Sequence, residues 1–181
     1  TSYWDAQARA GVMSRDGHDY AIAGGGPITD TLRFRVSAQE RYDRGDITNL
    51  TRKEDDAGRE IARNLKARTL WQPEGMSGYL LRYGYTQSKN EFGDPLHDSS
   101  MGERTETSNV RGNEDDVTRL HSVEQGIDVG NYWRVESVSG WTKISNLYTI
   151  DFDRSAAAGG YSDNTLDEKI LSQELRARYT Q

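Results

Sequence analysis

Residues 61–88 read IARNLKARTLWQPEGMSGYLLRYGYTQS and contain two alternating segments on either side of one turn. On both sides of the tight turn Gln72-Pro73-Glu74-Gly75 the side chains alternate between apolar and polar, which predicts a hairpin with one apolar and one polar face. Each arm is about twelve residues long, whereas most strands have about five or six. Trp71 and Tyr79 lie on the apolar face at the turn end. Long strands with rim aromatics are typical of a membrane-spanning β-barrel, and the ordinary alternative is a hairpin of a soluble β-sandwich.

Composition narrows the class of protein. The chain has 181 residues, enough for one domain, and a net charge of −6, which disfavours a nucleic-acid surface. Its mean hydropathy of −0.89 is low, yet 10 Tyr, 4 Trp and only 3 Pro do not suit a disordered chain. A β-barrel accounts for both the low hydropathy and the aromatic content, because half of the residues in its strands are polar. No apolar run approaches the length of a transmembrane helix, and the absence of Cys excludes disulfides and thiolate metal sites.

Alternation of the same kind predicts further strands along the chain. They are residues 3–13, 18–24, 31–42, 117–129, 132–144 and 169–180. We interpret Gly24-Gly25-Gly26-Pro27 as a chain-breaking turn, and the mixed parity of Trp133 and Val138 indicates a bulge in the strand that contains them.

The connections between these strands differ in length in a regular way. After a first tight turn at residues 14–17, short connections at 25–30, 73–75 and 130–131 alternate with long ones at 43–60, 89–116 and 146–167. Short turns on one rim and long loops on the other are typical of outer-membrane barrels. We therefore predict an all-β fold: an antiparallel up-and-down meander of about eight long strands, without parallel pairing, which is a slice of a transmembrane β-barrel.

The order and spacing of several motifs resemble the barrel region of TonB-dependent outer-membrane receptors. The motifs are GGGPITDTLRFRVSAQERYDRGDITNLT, NLKARTLWQPEGMSGYLLRYGYTQS, YWRVESVSGW, DFDRS and SQELRARY. The resemblance covers nearly all of residues 1–181, which would form the first third of the barrel, without the plug domain and the N-terminal box that contacts the coupling protein. It implies a location in the outer membrane of a Gram-negative bacterium. The implied partners are outer-membrane lipid, the remaining barrel strands, the plug domain, an energy-coupling complex and a small-molecule solute such as an iron–siderophore complex.

Charged residues on the polar parity are candidates for the surface of a lumen. They are Arg33, Arg35, Lys66, Arg68, Arg82, Glu124, Asp128, Arg134, Glu136, Glu174, Arg176 and Arg178, with Asp5 and Arg9. So many charges do not fit the narrow interior of a closed eight-strand barrel. We therefore expect an open, curved sheet, with Arg33, Arg35, Arg82 and Arg176 on its concave side. On its convex side we expect Leu32, Phe34, Val36, Leu81, Tyr83 and Leu175.

Aromatic residues of the apolar parity gather at the short-turn rim, where an interfacial girdle would lie. They are Trp4, Trp71, Tyr79, Trp133 and Tyr179.

The sequence contains no catalytic constellation, so we expect no enzyme and no cofactor. His18, His97 and His121 are scattered. The acidic groups at residues 54–56, 114–116 and 151–153 lack a calcium-loop pattern, and we expect no metal site there.

Two alternatives remain open at this point. One is a complete small eight-strand outer-membrane barrel with a structural or adhesive role. The other is a soluble β-sheet binding module.

Overall fold

Strands account for most of the chain in this computed structural model, which describes residues 3–76, 78–94 and 104–179. The strands are β1 (Asp5–Met13), β2 (Gly17–Pro27), β3 (Leu32–Asp43), β4 (Thr48–Asn49), β5 (Glu60–Trp71), β6 (Leu80–Phe92), β7 (Thr105–Glu106), β8 (Asn113–Val129), β9 (Trp133–Asp151) and β10 (Tyr161–Tyr179). No helix in the described part of the chain is long and apolar enough to cross a membrane.

Eight of these strands form one antiparallel sheet in the order β1-β2-β3-β5-β6-β8-β9-β10. Each long strand pairs with the next long strand along the chain, so the predicted up-and-down meander is confirmed. Strands β1 and β10 are the two edges, and within the described residues they do not pair with each other. The prediction of an open sheet is therefore also confirmed, and the sheet matches a slice of a barrel.

An unbroken register separates the side chains into two sets. Leu32 lies opposite Trp71, and Trp71 lies opposite Leu81 on the next strand. Because side chains alternate along each strand, this row defines an apolar face, and the intervening row of Arg33, Leu70 and Arg82 lies on the opposite, polar face. All six residues predicted to share the apolar side lie on this apolar face, and the four arginines predicted to share the other side lie on the polar face.

The glycine-rich segment corrects one expectation. Residues Gly24 to Pro27 are not a turn but the end of β2, paired with β1 and β3. The turn follows at residues 28–31, where the Thr29 hydroxyl accepts a hydrogen bond from the Leu32 amide at 3.0 Å. The glycines are needed for close packing: a Cβ on Gly26 would lie 2.7 Å from the Trp4 ring.

The bulge predicted in the strand after Gly130 is also wrong. Strand β9 keeps a constant register with β8 and with β10 from Trp133 onward. Both faces of β9 carry apolar residues, because Val138 and Ile144 lie on its polar face together with charged residues.

Besides β2, four strands extend by several residues beyond their predicted ends. The sequence pattern places residues 89–92, 113–116, 146–151 and 161–167 in loops, whereas in the structure they extend β6, β8, β9 and β10. Most of these extensions are polar on both faces, and in residues 146–151 the apolar Leu147, Tyr148 and Ile150 fall on both parities, so no alternating pattern marks a strand there.

Two further expectations are wrong: that every short turn lies on one rim, and that no strands pair in parallel. The tight turn at residues 14–16 lies on the rim of the long loops, so this rim does not consist of long loops alone. The expectation of no parallel pairing is wrong as well, because β4 and β7 form a short parallel ladder outside the main sheet.

The sheet itself has no closed core. The buried apolar side chains of the described residues are Ile47 and Ala57, both in the loop between β3 and β5. On the apolar face Leu171 and Leu175 are 79% and 74% exposed. An apolar sheet face of this size requires a covering, whether by protein or by lipid.

Candidate functional site

The charged residues predicted for the lumen all lie on the polar face. The register places Arg35 opposite Arg68, Arg82 opposite Glu124, and Asp128 opposite Arg134. Lys66, Glu136, Glu174, Arg176 and Arg178 follow the same parity on their strands. The polar face is therefore the surface on which this chain brings its charges together.

Cross-strand ion pairs connect part of this surface. Arg35 Nη1 lies 2.7 Å from Asp5 Oδ2, and the two side chains meet over Gly25, which has no side chain to separate them. Arg9 pairs with Asp19 at 2.9 Å, and Arg82 pairs with Glu124.

A second group of pairs lies near the short-turn rim. Arg134 donates to Asp128 at 2.8 Å and to Glu136 at 2.9 Å. Arg176 binds Glu174 through two nitrogens at 2.6 and 2.7 Å, and Arg178 lies 3.9 Å from Glu136. Exposed pairs of this kind contribute little to stability, so they order the surface more than they stabilise the fold.

Within the part of the chain that the structure describes, three cations of the polar face have no carboxylate directly opposite them and no ion pair, whereas Arg41, which also lacks an ion pair, lies directly opposite Asp19. Among the described residues, Arg33, Lys66 and Arg68 have neither an ion pair nor a side-chain hydrogen bond with another residue. Arg68 also faces a like charge, because Arg35 is directly opposite. We name Arg33, Lys66 and Arg68 the cationic patch. Like charges on neighbouring strands repel one another, so the patch is suited to an anionic partner.

The five predicted girdle residues gather at the short-turn rim on the apolar face. Trp71 contacts Tyr79 edge-on at 6.0 Å, Trp133 contacts Tyr179 at 5.2 Å, and Trp4 contacts Phe34 at 5.4 Å between ring centroids. Tyr132, which the sequence pattern does not single out, also joins this group, because its ring lies 5.8 Å from that of Tyr179.

The long loops come together in a buried polar network that no pattern in the sequence predicts. Asn49 is fully buried and donates to Glu106 Oε1 at 2.7 Å and to the Ser108 carbonyl at 2.9 Å. Arg52 donates to the same Glu106 oxygen and to the carbonyls of Ser108 and Val110. We name the assembly of residues 44–59, 104–112 and 151–160 the loop layer.

Asp151, the last residue of β9, anchors the third loop to this network. Its side chain is buried and accepts a hydrogen bond from Ser108 Oγ at 2.6 Å. Burial by itself raises the pKa of this carboxyl group, but hydrogen bonds from Ser108 and from backbone amides, including that of Asp153, outweigh burial and hold the pKa below its ordinary value.

The acidic groups of the loops have partners within the chain. Glu54 pairs with Arg52 at 3.1 Å, Asp56 pairs with Arg111 at 3.1 Å, and Asn146 donates to both Glu114 and Asp116. The described residues contain no group of three His, Asp or Glu side chains that could hold a metal ion.

The histidines lie apart from one another. His18 stacks on Tyr20 and Tyr42, and His121 lies between Tyr85 and Trp141 on the apolar face. His97 falls outside the described residues.

A cleft of about 570 Å³ opens where the polar face meets the loop layer. Its walls carry both signs of charge, from Arg15, Asp43, Asp46, Arg59, Glu60 and Arg104. Arg15 and Arg104 both pair with Asp46, at 3.2 and 2.5 Å. The cleft can accept a polar molecule of moderate size approaching from the loop side.

Comparison with known proteins identifies the fold. No family model and no curated protein matches this chain. Among solved structures, the ferric yersiniabactin uptake receptor FyuA from Yersinia pestis is similar, with a TM-score of 0.81 and 17% sequence identity. The match covers 99% of this chain and 28% of that receptor. The resemblance to an outer-membrane receptor barrel is thus confirmed as a likeness of fold.

Proposed function

We propose that this chain forms part of the barrel wall of a TonB-dependent outer-membrane receptor that imports a scarce solute, such as an iron–siderophore complex, in a Gram-negative bacterium. The observation that carries the proposal is the separation of an apolar and a polar face by one register across all eight strands. The similarity in fold to a ferric yersiniabactin uptake receptor supports it.

In this proposal the apolar face contacts lipid and the polar face lines the lumen. The aromatic residues at the short-turn rim form the periplasmic interfacial girdle, since their rings are amphipathic. The long loops extend outside the cell, where they meet the solute first. The remaining strands, the plug domain and the energy-coupling complex belong to the intact receptor, of which this chain supplies one part.

The cationic patch gives the lumen a chemical preference. Arg33, Lys66 and Arg68 have no counter-charge among the described residues, so the patch attracts either acidic side chains of a plug or an anionic ferric chelate. Charge complementarity of this kind raises association rates and discriminates against cationic solutes. The mechanism requires no bond-making by the chain, and we propose binding and transport rather than catalysis.

Uptake by the intact protein that contains this sequence tests the proposal. It is expressed in a Gram-negative host that lacks its own ferric-chelate receptors, and uptake of radiolabelled iron is measured with catecholate, phenolate, hydroxamate and carboxylate chelates. We expect energy-dependent uptake of at least one anionic chelate. A protein that inserts into the outer membrane but neither binds nor imports any of these chelates would contradict the proposed solute class.

A triple variant tests the role of the patch. Replacing Arg33, Lys66 and Arg68 by Gln should weaken binding of the anionic chelate by at least tenfold, because each cation contributes to attraction in a confined lumen. Arg63→Gln, a change on the apolar face, is the matched control and should bind normally. Equal affinity in the triple variant would exclude the patch from solute binding and leave plug contact as its role.

A further inference from the structure

Three cations lie side by side on the apolar face, and no part of the proposed transport function uses them. Arg119 of β8 is directly opposite Lys143 of β9, and Lys143 is directly opposite Lys169 of β10. We name these three residues the basic row. Neighbouring residues of such a row are about 5 Å apart between Cα atoms, so the three charges fall within about 10 Å.

The basic row is poorly neutralised by the chain. Arg119 donates to the amide oxygen of Gln87 at 3.2 Å, which supplies no charge. Lys143 lies 4.0 Å from Asp167, whose same oxygen already accepts from Ser145 at 2.6 Å. Lys169 is exposed and has no hydrogen bond or ion pair with any described side chain. Like charges directly opposite one another destabilise a sheet, so an external anion is needed to offset the repulsion.

Strands β3, β5 and β6 also carry charged residues at the end of the apolar face that is far from the aromatic girdle, but those charges cancel one another. There Arg63 donates to Glu40 at 2.6 Å and to Glu91 at 2.8 Å, and Lys89 donates to Glu91 at 2.6 Å. We name Glu40, Arg63, Lys89 and Glu91 the neutralised cluster. Two cations and two carboxylates cancel within it, so the excess of positive charge is specific to β8, β9 and β10.

The distance of the basic row from the aromatic girdle corresponds to the thickness of the apolar band of a membrane-spanning barrel. On β8 the apolar face runs from Val129 at the girdle to His121, and Arg119 is the next residue of that face. The segment from Val129 to Arg119 is about 33 Å along the strand, or about 25 Å perpendicular to the membrane at a usual barrel tilt. This matches the apolar band of such barrels, so the row lies where outer-leaflet headgroups begin.

The row just inside that boundary is apolar and aromatic. His121, Trp141 and Leu171 lie one step closer to the girdle, with the His121 ring 5.0 Å from the Trp141 ring. A molecule bound here therefore meets positive charge at one end and an apolar surface at the other.

We propose that Arg119, Lys143 and Lys169 bind the phosphate group of an anionic lipid in the outer leaflet, whose acyl chains cover Trp141 and Leu171. The inference rests on the proposed membrane location but not on the transported solute. A phosphomonoester suits the site because it carries up to two negative charges and three acceptor oxygens, and several cations can share them.

Lipid retention measured by native mass spectrometry tests the site. The intact protein is placed in nanodiscs of phosphatidylcholine that contain a minor fraction of phosphatidic acid, and the bound lipid is counted after release. Each cation near a membrane contributes attraction worth about fivefold in affinity. The variant R119Q/K143Q/K169Q should therefore retain phosphatidic acid roughly a hundredfold more weakly. The control R63Q/E91Q, which removes one cation and one carboxylate and so keeps the neutralised cluster neutral, should retain it normally.

A single variant and a competing anion complete the test. Equal retention by the triple variant and the unchanged protein would overturn the proposal. If the triple variant does not fold, Lys169→Gln alone, a change on the exposed edge strand, should still show a loss of about fivefold, and no loss would likewise overturn it. Inorganic phosphate that displaces the lipid at equal concentration would assign the row to free phosphate instead. A protein that fails to enter nanodiscs would refute the membrane location itself, whereas insertion with unselective lipid retention would refute only the lipid site.

Discussion

Arg52 Nη2 lies 2.6 Å from Glu106 Oε1, and this pair joins the loop after β3 to the loop after β6. Only 12% and 6% of the two side chains are exposed, so both charges lie largely out of water. Glu106 also accepts from Asn49, and Arg52 donates to two backbone carbonyls, which satisfies the groups that burial would otherwise leave unpaired. The loop layer is therefore held mainly by polar contacts, and Ile47 and Ala57 are its buried apolar side chains.

Removal of one member of this pair should open the loop layer locally. For Arg52→Ala we expect a loss of about 3–5 kcal/mol in the free energy of local opening, because Glu106 then remains buried without its partner. Hydrogen exchange measures this as a fall of at least a hundredfold in protection of the Leu50 amide, which donates to Glu106. Arg111→Ala, which breaks a more exposed pair with Asp56, should cost no more than about 1 kcal/mol. Unchanged exchange at Leu50 in Arg52→Ala would contradict this account.

Acidification should loosen the same layer through Asp151. Its pKa is lower in the folded chain than in the unfolded chain, so its contribution to stability is fully present above the unfolded value of about 4 and is lost as pH falls through the folded value. Hydrogen exchange at the Asp153 amide, which donates to Asp151, should accelerate over this range after correction for intrinsic rates. In Asp151→Asn the acceleration should be smaller, and an identical pH profile would assign the effect to other carboxyl groups.

A charge placed on the apolar face should oppose the membrane contact. In the intact lipid-embedded protein, Val36→Arg should lower the free energy of unfolding by roughly 2–4 kcal/mol if the site is near the bilayer midplane. Ala23→Arg provides the matched control, because its side chain lies on the polar face opposite Gln7 and Ser37, with no cation directly opposite. Chemical unfolding from lipid vesicles measures both. Equal stability of Val36→Arg and the unchanged protein would refute the assignment of this face to lipid.

Close packing of Trp4 against the backbone should make Gly26 intolerant of a side chain. A Cβ at Gly26 would lie 2.7 Å from the indole ring, so Gly26→Ala must displace the ring, at about 1–3 kcal/mol for overpacking. At Gly24 the nearest atom is the Asp5 carbonyl oxygen at 3.4 Å, and Gly24→Ala should be tolerated. Trp4 fluorescence, isolated by replacing the other tryptophans with Phe, reports the displacement. An unshifted Trp4 spectrum in Gly26→Ala would show that the ring is not confined there.

The predictable part of this fold is what alternation along one strand determines. Arg33 and Arg35 flank Phe34, so their common face follows from parity before any partner strand is known. Trp71 and Tyr79 flank one short turn, and the sequence alone therefore places both at one rim.

What could not be predicted depends on contacts between distant strands. Gly26 resembles a turn residue until Trp4 is seen across the ladder. Lys143 and Lys169 look like isolated surface cations, and only the register makes them neighbours. Their parity was the available signal, because each shares a face with Trp141 or Leu171.

The loop layer has a consequence for the order of folding. Asn49 and Glu106 are 57 residues apart in sequence, whereas the central hairpin forms between neighbouring segments. Closing so long a segment costs more chain entropy than closing a hairpin, and β5 and β6 must pair first to bring its ends together. We therefore expect the parallel ladder of β4 and β7 to form after the antiparallel sheet. The amides of Thr48 and Leu50 donate to the carbonyls of Arg104 and Glu106. The time at which these two amides gain protection from hydrogen exchange during refolding would therefore report the last step of folding.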